Sequence, residues 1–120
     1  MWKNLDECSL FRDLREAQIP DLRQCLKGEG GANRIERYSI PMAAGMHYNY
    51  AAKQVDDTLL SLLQKLADEQ QLILKYQRLL SGEEINTGEH RKVLHHLTRG
   101  QLGDDVIYNG KNMRTFYIEQ

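Results

Sequence analysis

Residues Gly82–Arg99 read GEEINTGEHRKVLHHLTR, and this stretch says more about the fold than any other part of the chain. Asn86 or Thr87 can accept hydrogen bonds from the free N–H groups at a helix start. Glu89 would then place a negative charge in the first turn, where it is favoured. The stretch predicts a helix from about residue 88 to residue 99, with its leucines facing inward.

Two apolar helices are predicted upstream, at about residues 56–67 and 69–81. An aspartate of Val55-Asp56-Asp57 can cap the first helix, and Gly82 suits the left-handed cap that closes the second. Both carry a broad apolar stripe at spacings of three and four residues, which is typical of core. The stripes are Leu59, Leu60, Leu62, Leu63 and Leu66, then Leu72, Ile73, Tyr76, Leu79 and Leu80.

The apolar period changes to two between residues 35 and 50, which predicts a β-hairpin. Ala43-Ala44-Gly45 separates its two arms. Pro41 indicates that the first strand lies at an edge, where its missing N–H does no harm. One face is apolar and must be covered by something, because it carries Tyr38, Ile40, Met42, Met46, Tyr48 and Tyr50.

Residues 1–32 are predicted to form N-terminal helices and a glycine-rich loop. The first helix spans Ser9–Glu16, and a short second helix has Pro20 in its first turn. Three glycines within residues 27–32 predict an irregular loop. This loop lacks the preceding strand and the following helix start of a phosphate-binding loop, so we interpret it as a linker.

Downstream of residue 99 the pattern predicts a strand over 105–108, a turn at Asn109-Gly110 and the start of a helix over 113–120. The chain stops at Gln120, directly after the apolar residues 116–118. We expect a further part of the protein, or a partner, to complete this surface.

Composition excludes several classes of protein. A chain of 120 residues allows one domain, and a hydrophobic fraction of 41% can build its core. The 16 basic and 17 acidic residues give a net charge of −1, which argues against a nucleic-acid partner. We expect neither a membrane span nor a leader, because the sequence has no apolar run of sufficient length and residues 1–7 show no basic end followed by an apolar run. The two cysteines, Cys8 and Cys25, are expected to be reduced and partly buried. These features predict a cytoplasmic protein without a membrane partner.

Histidines are the first candidates for chemistry, because they titrate near neutral pH. The four are His47, His90, His95 and His96. Neighbours on a helix point about 100° apart, so His95 and His96 cannot easily reach one metal ion. We therefore predict no metal site, with one of the two solvated and the other packed against a neighbouring helix.

The other reactive residue types form no recognisable catalytic pattern. Consecutive carboxylates diverge, which predicts caps and turns for Asp56-Asp57, Glu83-Glu84 and Asp104-Asp105. No serine lies in a G-x-S-x-G context, and neither cysteine has a histidine nearby in the sequence. Spacing alone thus assigns no catalytic, cofactor-binding or metal-binding residue.

The stretch 82–99 resembles, without gaps, the motif G-E-x-I-N-x-T-E-x-R-A-V-L-H-x-A-L-R of the glucose-6-phosphate isomerase family. Residues 34–40 are similar to the family's R-F-x-x-F-S-L, and residues 106–111 to I-L-V-D-G-K. Tyr50 followed by Val55-Asp56-Asp57 is similar to D-Y-S-K-N-x-V-T-E, with Ala52 in place of the lysine. The resemblance spans about residues 33–120, and ten motif positions agree: Gly82, Glu83, Ile85, Asn86, Glu89, Arg91, Val93, Leu94, His95 and Arg99.

This resemblance implies the α/β fold of the family's sugar-isomerase lobes, of which the chain would be an incomplete, helix-rich α+β part at the N-terminus. The family interconverts glucose 6-phosphate and fructose 6-phosphate in glycolysis and gluconeogenesis, without a metal or nucleotide cofactor and usually as a homodimer. Its glutamate base, its arginine and its phosphate-binding serines and threonines lie beyond the matched part, so neither Glu89 nor His95 is catalytic. We expect the chain alone to be inactive, with the remainder of the isomerase chain as its partner.

Two alternatives remain open. The chain could be a stand-alone, non-enzymatic helical module that binds a protein through residues 116–118, or a complete small enzyme built on histidines. A reading frame that continues past Gln120 into a glycine- and serine/threonine-rich α/β region would favour the isomerase segment. Within the isomerase interpretation, we expect Arg91 and Glu89 to anchor the third helix and His95 to pack or hydrogen-bond inward.

Overall fold

A computed structural model describes residues 3–99 and 102–119 of the chain. The chain divides into two units, Met1–Leu66 and Ala67–Gln120. The described residues form six α-helices and three two-stranded antiparallel sheets, in agreement with a helix-rich α+β segment. None of the described helices has both the length and the apolar character needed to cross a membrane.

The first unit begins with two short helices. A 3₁₀ turn at Leu5–Glu7 precedes helix α1 (Ser9–Glu16), and helix α2 spans Leu22–Cys25. Asp21 caps α2, because its carboxylate accepts the N–H of Arg23 at 2.9 Å. Pro20 therefore precedes the cap, and its predicted place in the first turn is wrong.

Helix α3 (Gly28–Arg37) takes the place of the predicted glycine-rich loop. Gly31 is buried, and a Cβ at this position would overlap the carbonyl group of Leu26. A glycine is needed here for the close approach of two backbone segments and not for flexibility. The predicted linker is wrong, and the predicted boundary between residues 32 and 33 falls inside α3.

The predicted hairpin consists of strands β1 (Ser39–Pro41) and β2 (His47–Asn49), joined by a 3₁₀ turn at Ala43–Gly45. Ile40 lies opposite Tyr48 in the antiparallel register. The hairpin begins later than predicted, because residues 35–37 belong to α3.

Helix α4 (Asp57–Glu69) follows the hairpin, and its predicted cap is confirmed. An Asp56 carboxylate oxygen accepts the N–H of Leu59 at 2.8 Å. Gln71, with a φ of 51°, separates α4 from helix α5 (Leu72–Leu80).

The end of α5 has the predicted left-handed cap. Gly82 has a φ of 75°. The N–H of Glu83 donates to the carbonyl of Arg78 at 3.0 Å, and that of Gly82 donates to the carbonyl of Leu79 at 3.1 Å. These two bonds are those of a Schellman motif, so they satisfy carbonyls that a helix end leaves free.

A second hairpin replaces the predicted helix over 88–99. Strand β3 (Glu84–Asn86) pairs with strand β4 (Arg91–Lys92). The Asn86 side chain accepts the N–H of Glu89 at 3.2 Å, so the predicted helix cap closes a turn instead. His90 has a φ of 53°, which an α-helix does not allow.

The inward leucines of this stretch are confirmed on a shorter element. A 3₁₀ turn at His95–Thr98 follows β4, and Leu94 and Leu97 are 7% and 0% exposed. They form the core of the second unit with Val106 and Met113. A spacing of three residues suits one 3₁₀ turn as well as an α-helix, which is why the spacing alone predicted the wrong element.

The last elements follow the predicted order of strand, turn and helix, but the predicted strand over 105–108 is shorter and a second, unpredicted strand pairs with it. Strands β5 (Ile107–Tyr108) and β6 (Lys111–Asn112) flank Asn109-Gly110, where both residues have positive φ, as a type I′ turn requires. Helix α6 spans Met113–Ile118 and is capped by the side chain of Asn112. Residue 120 of the predicted helix over 113–120 lies outside the described residues.

Candidate functional site

The β3–β4 hairpin forms one wall of a groove of about 230 Å³ in the second unit. Four of its lining residues are ionisable side chains from the stretch 82–99. Its walls come from Glu84, His90, Arg91, Lys92, Leu94, Tyr108, Met113 and Tyr117.

Glu84 and His90 form a pair across the hairpin. Nδ1 of His90 lies 2.8 Å from a carboxylate oxygen of Glu84. The His90 side chain is 81% exposed, and that of Glu84 is 46% exposed. Water screens such a pair and leaves the imidazole hydrated, whereas a general base works best in a site shielded from water. The geometry is that of a surface pair.

Lys92 closes the base of the hairpin. Its ammonium donates to the carbonyl of Gly82 and lies 5.7 Å from the ring centre of Tyr108. The lysine therefore holds the end of α5 next to β4, and its charge is partly neutralised by a carbonyl dipole and an aromatic face.

The two adjacent histidines differ in burial, as predicted, but the prediction for His95 is wrong. His95 is exposed, whereas His96 is buried and its Nε2 lies 3.1 Å from the carbonyl oxygen of Leu80. Since a carbonyl only accepts, Nε2 is the donor in this contact. The Nδ1 atom of His96 is buried without a hydrogen-bond partner among the described residues. The two histidines point in other directions than predicted, because a 3₁₀ turn starts at residue 95 and no helix runs on from residue 88.

Arg91 and Glu89 do not anchor a helix, so that prediction is also wrong. Their nearest charged atoms are 3.9 Å apart, and the side chains are 76% and 63% exposed. Both residues lie at the hairpin, where the predicted helix is not formed.

Of the carboxylate pair Asp56-Asp57, Asp56 is the predicted cap, whereas Asp57 binds residues near the end of α3. Asp57 accepts the hydroxyl of Tyr38 at 3.0 Å and pairs with Arg37. Burial, followed by the hydrogen bond to Asp57, raises the pKa of Tyr38 above its usual value.

The pair Asp104-Asp105 lies in a loop wrapped around Arg114. Arg114 donates to the Asp105 carboxylate at 2.8 Å and to the carbonyl of Gly103 at 2.8 Å. Asn112 donates to the same carboxylate at 2.9 Å. The hydrogen bond from Asn112, and then that from Arg114, lowers the pKa of Asp105 below its usual value.

Arg34 is a buried cation that sequence reasoning missed. Its guanidinium donates to the carbonyls of Ala51, Lys53 and Val55 at 2.8, 2.9 and 2.7 Å. It is 7% exposed. The signal that points to this residue is its place at the start of the matched R-F-x-x-F-S-L segment, which does not reveal its partners.

The remaining candidates are possible metal ligands, the two cysteines and Ser81. In the part of the chain that the structure describes, no three His, Cys, Asp or Glu side chains are arranged to hold a metal ion. Cys8 is buried and Cys25 is half-buried, and both are reduced thiols rather than half-cystines, in agreement with the prediction. Ser81 donates its hydroxyl to the carbonyl of Arg78 and so belongs to the end of α5.

A family model described as "Phosphoglucose isomerase" matches residues 49–117, more than half of the chain. The chain belongs to the phosphoglucose isomerase family. The match includes the β3–β4 hairpin, the core leucines and the loop around Arg114. In this member of the phosphoglucose isomerase family, the matched motif at 82–99 thus forms a hairpin and a 3₁₀ turn.

Curated relatives carry the same family name over nearly the whole chain. A glucose-6-phosphate isomerase of Treponema denticola is 51% identical over 99% of this chain. That of Treponema pallidum (strain Nichols) is 50% identical over 99%, and that of Borreliella burgdorferi (strain B31) is 48% identical over 97%. The family resemblance found in the sequence is therefore confirmed.

The chain spans only about a quarter of the length of these phosphoglucose isomerases. The matched share is 24%, 23% and 22% of the three proteins named above. The comparisons give no support to the alternative of a stand-alone interaction module.

Proposed function

We propose that this chain is the N-terminal segment of an aldose–ketose isomerase that interconverts glucose 6-phosphate and fructose 6-phosphate, and that it supplies scaffold rather than reacting groups. One observation carries the proposal. The Treponema denticola isomerase is 51% identical to this chain over 99% of the chain, yet the match covers only 24% of that isomerase. A match of this kind is expected when one part of a larger enzyme is compared with the whole.

Isomerisation needs a base that moves a proton between C1 and C2, a donor for the developing oxyanion and a cradle for the phosphate. Several described carboxylates have structural partners: Asp56 caps α4, and Asp57 and Asp105 each bind an arginine. Arg34 and Arg114 donate to backbone carbonyls. These contacts support placing the reacting groups in the rest of the enzyme.

The proposal extends to the setting of the complete enzyme. It comprises the α/β sugar-isomerase lobes, a homodimer in the cytoplasm and a role in glycolysis and gluconeogenesis, without a metal or nucleotide cofactor. The remainder of the isomerase chain is the partner of this segment, and the sugar phosphate binds only to the complete enzyme.

A coupled assay for glucose 6-phosphate tests the proposal with two proteins. The first is the purified 120-residue chain, which we expect to produce no turnover from fructose 6-phosphate. The second is a chimaera in which this chain replaces the matched part of the Treponema denticola isomerase, and we expect this chimaera to be active.

Two results would contradict the proposal. Turnover by the 120-residue chain that disappears in its Glu89→Ala variant would show that the segment carries its own reacting group. An inactive chimaera, prepared beside an active Treponema denticola enzyme, would show that the segment cannot serve as isomerase scaffold.

A further inference from the structure

Six side chains share one face of the β1–β2 hairpin, and we call them the hairpin face. The antiparallel pairing of β1 and β2 places them on the same side. Ile40 lies opposite Tyr48, and a backbone hydrogen bond joins the next same-face pair on either side of it. The N–H of Tyr50 donates to the carbonyl of Tyr38 at 2.9 Å, and that of Met42 donates to the carbonyl of Met46 at 2.8 Å. The hairpin face is therefore Tyr38, Ile40, Met42, Met46, Tyr48 and Tyr50.

The hairpin face is covered at one end only. Tyr38 is 6% exposed and packs edge-on against Tyr50, with ring centres 5.2 Å apart. Towards the tip, Ile40, Met42, Met46 and Tyr48 are 50%, 53%, 58% and 49% exposed. Half of the apolar face thus lies open to water, in a two-stranded ribbon that is marginal by itself.

A groove of about 410 Å³ runs along the open part of this face. Five of its lining residues are aliphatic or aromatic, and the sixth is a lysine: Ile40, Tyr48, Tyr50, Val55, Leu60 and Lys53. Lys53 is exposed and makes no ion pair with the residues that the structure describes. The groove therefore suits an apolar segment that brings one carboxylate to its rim.

We propose that the rest of an isomerase chain covers the hairpin face, with an apolar segment whose carboxylate pairs with Lys53. This inference rests on the proposed function, since about three quarters of each relative's length has no counterpart in this chain. A second copy of the chain is a poorer occupant. A two-fold contact would bring up the same groove of the copy, whose lining contains a lysine but no carboxylate that could pair with Lys53.

Cysteine labelling tests whether the hairpin face is covered in the chimaera and open in the 120-residue chain. Met46→Cys and Tyr48→Cys place thiols on the hairpin face at positions where the native side chains are half exposed. His47→Cys is the matched control, because His47 lies between them on the opposite, exposed face. Each variant is made in the 120-residue chain and in the Treponema denticola chimaera, and maleimide labelling rates are measured by peptide mapping, which separates the new thiols from Cys8 and Cys25.

We expect Met46→Cys and Tyr48→Cys to react about 100-fold more slowly in the chimaera than in the 120-residue chain, because a covered thiol reacts only through local opening. His47→Cys should react at similar rates in both proteins. Lys53→Glu should lower the melting temperature of the chimaera and leave that of the 120-residue chain nearly unchanged.

The outcomes separate this inference from the proposed function. An active chimaera with fast labelling at residues 46 and 48 overturns the covered face and leaves the isomerase function standing. A chimaera with slow labelling and no activity supports the docking surface and contradicts the function. Labelling of the 120-residue chain that slows as its concentration rises assigns the face to a second copy and overturns our choice of occupant. An unchanged melting temperature of the Lys53→Glu chimaera overturns the pairing with a carboxylate.

Discussion

The guanidinium carbon of Arg34 lies 4.3 Å from the centre of the Tyr38 ring, one helical turn further along the chain. The N–H of Tyr38 donates to the carbonyl of Arg34 at 2.9 Å, so the pair closes the end of α3. Three carbonyls and an aromatic face, rather than a carboxylate, surround this buried cation. Arg34 thereby connects α3 to the segment between β2 and α4.

Replacing Arg34 by lysine is expected to destabilise the first unit by about 1–3 kcal/mol, because a single ammonium cannot reach three carbonyls in the geometry of a guanidinium fork. Urea unfolding followed by circular dichroism measures the change. Arg37→Lys is the control, since Arg37 is 65% exposed in its pair with Asp57, and we expect less than about 1 kcal/mol there. Equal effects of the two substitutions would contradict the role of Arg34.

Two features of Gly82 require a glycine: its positive φ and the lack of space for a Cβ. Comparison with Gly110, which has only the positive φ, separates their effects. The φ of Gly82 is 75°, and a Cβ would lie 2.5 Å from a methyl carbon of the buried Val106. Gly110 has nearly the same φ, 74°, with no atom within 4 Å of its Cβ position. We expect Gly82→Ala to cost about 1–3 kcal/mol more than Gly110→Ala in thermal or urea unfolding, because it adds overpacking to the backbone strain. Similar costs would show that Val106 moves aside freely.

His96 and His95 provide an adjacent pair of opposite burial. His96→Ala removes a buried ring and the donor to the Leu80 carbonyl, so we expect a loss of about 1–3 kcal/mol in the free energy of unfolding. His95→Ala changes an exposed side chain and should stay within about 0.5 kcal/mol of the unchanged protein. A larger loss for His95→Ala would reverse the assignment of the packed histidine.

The lowered pKa of Asp105 predicts that this residue contributes to the acid sensitivity of the second unit. Its folded pKa is lowered by Asn112 and Arg114, so in mildly acidic solution the unfolded chain binds the proton more readily than the folded chain does. The contribution of Asp105 to stability is therefore present above the ordinary aspartate pKa and is lost as the pH falls through the lowered folded value.

The measurement is urea unfolding at a series of pH values from neutral to strongly acidic. We expect the protein to lose more stability on acidification than Asp105→Asn does, because asparagine has no proton to gain. Parallel pH profiles for the two proteins would show that the contacts with Asn112 and Arg114 do not distinguish the charged carboxylate from the neutral one.

Much of the helical structure could be predicted from local pattern. Helices α1, α4 and α5, the Gly82 cap and the Asn109-Gly110 turn follow from apolar spacing and from backbone preferences within a few residues. The β1–β2 hairpin follows from alternation, and the family follows from ordered motifs along the chain. Each of these signals is contained in a short segment.

The errors concern residues whose conformation depends on specific contacts rather than on the spacing of apolar residues. Gly31 lies in α3, where the Leu26 backbone leaves no room for a side chain, although the glycines nearby suggest a loop. The stretch 84–92 is a hairpin because Asn86 closes a turn and Lys92 reaches back to Gly82. A spacing of three residues between apolar positions is compatible with a helix as well, so it could not predict the hairpin.

By itself the sequence determined the family, the order of most elements and the apolar face of the first hairpin, because periodicity and turn chemistry act between near neighbours. Only the tertiary structure decided that His96 rather than His95 is packed, that Arg34 is buried among carbonyls and that half of the hairpin face stays open. These outcomes depend on which surfaces meet when segments far apart in the chain come together, and burial and hydrogen bonding at such contacts outweigh local propensity.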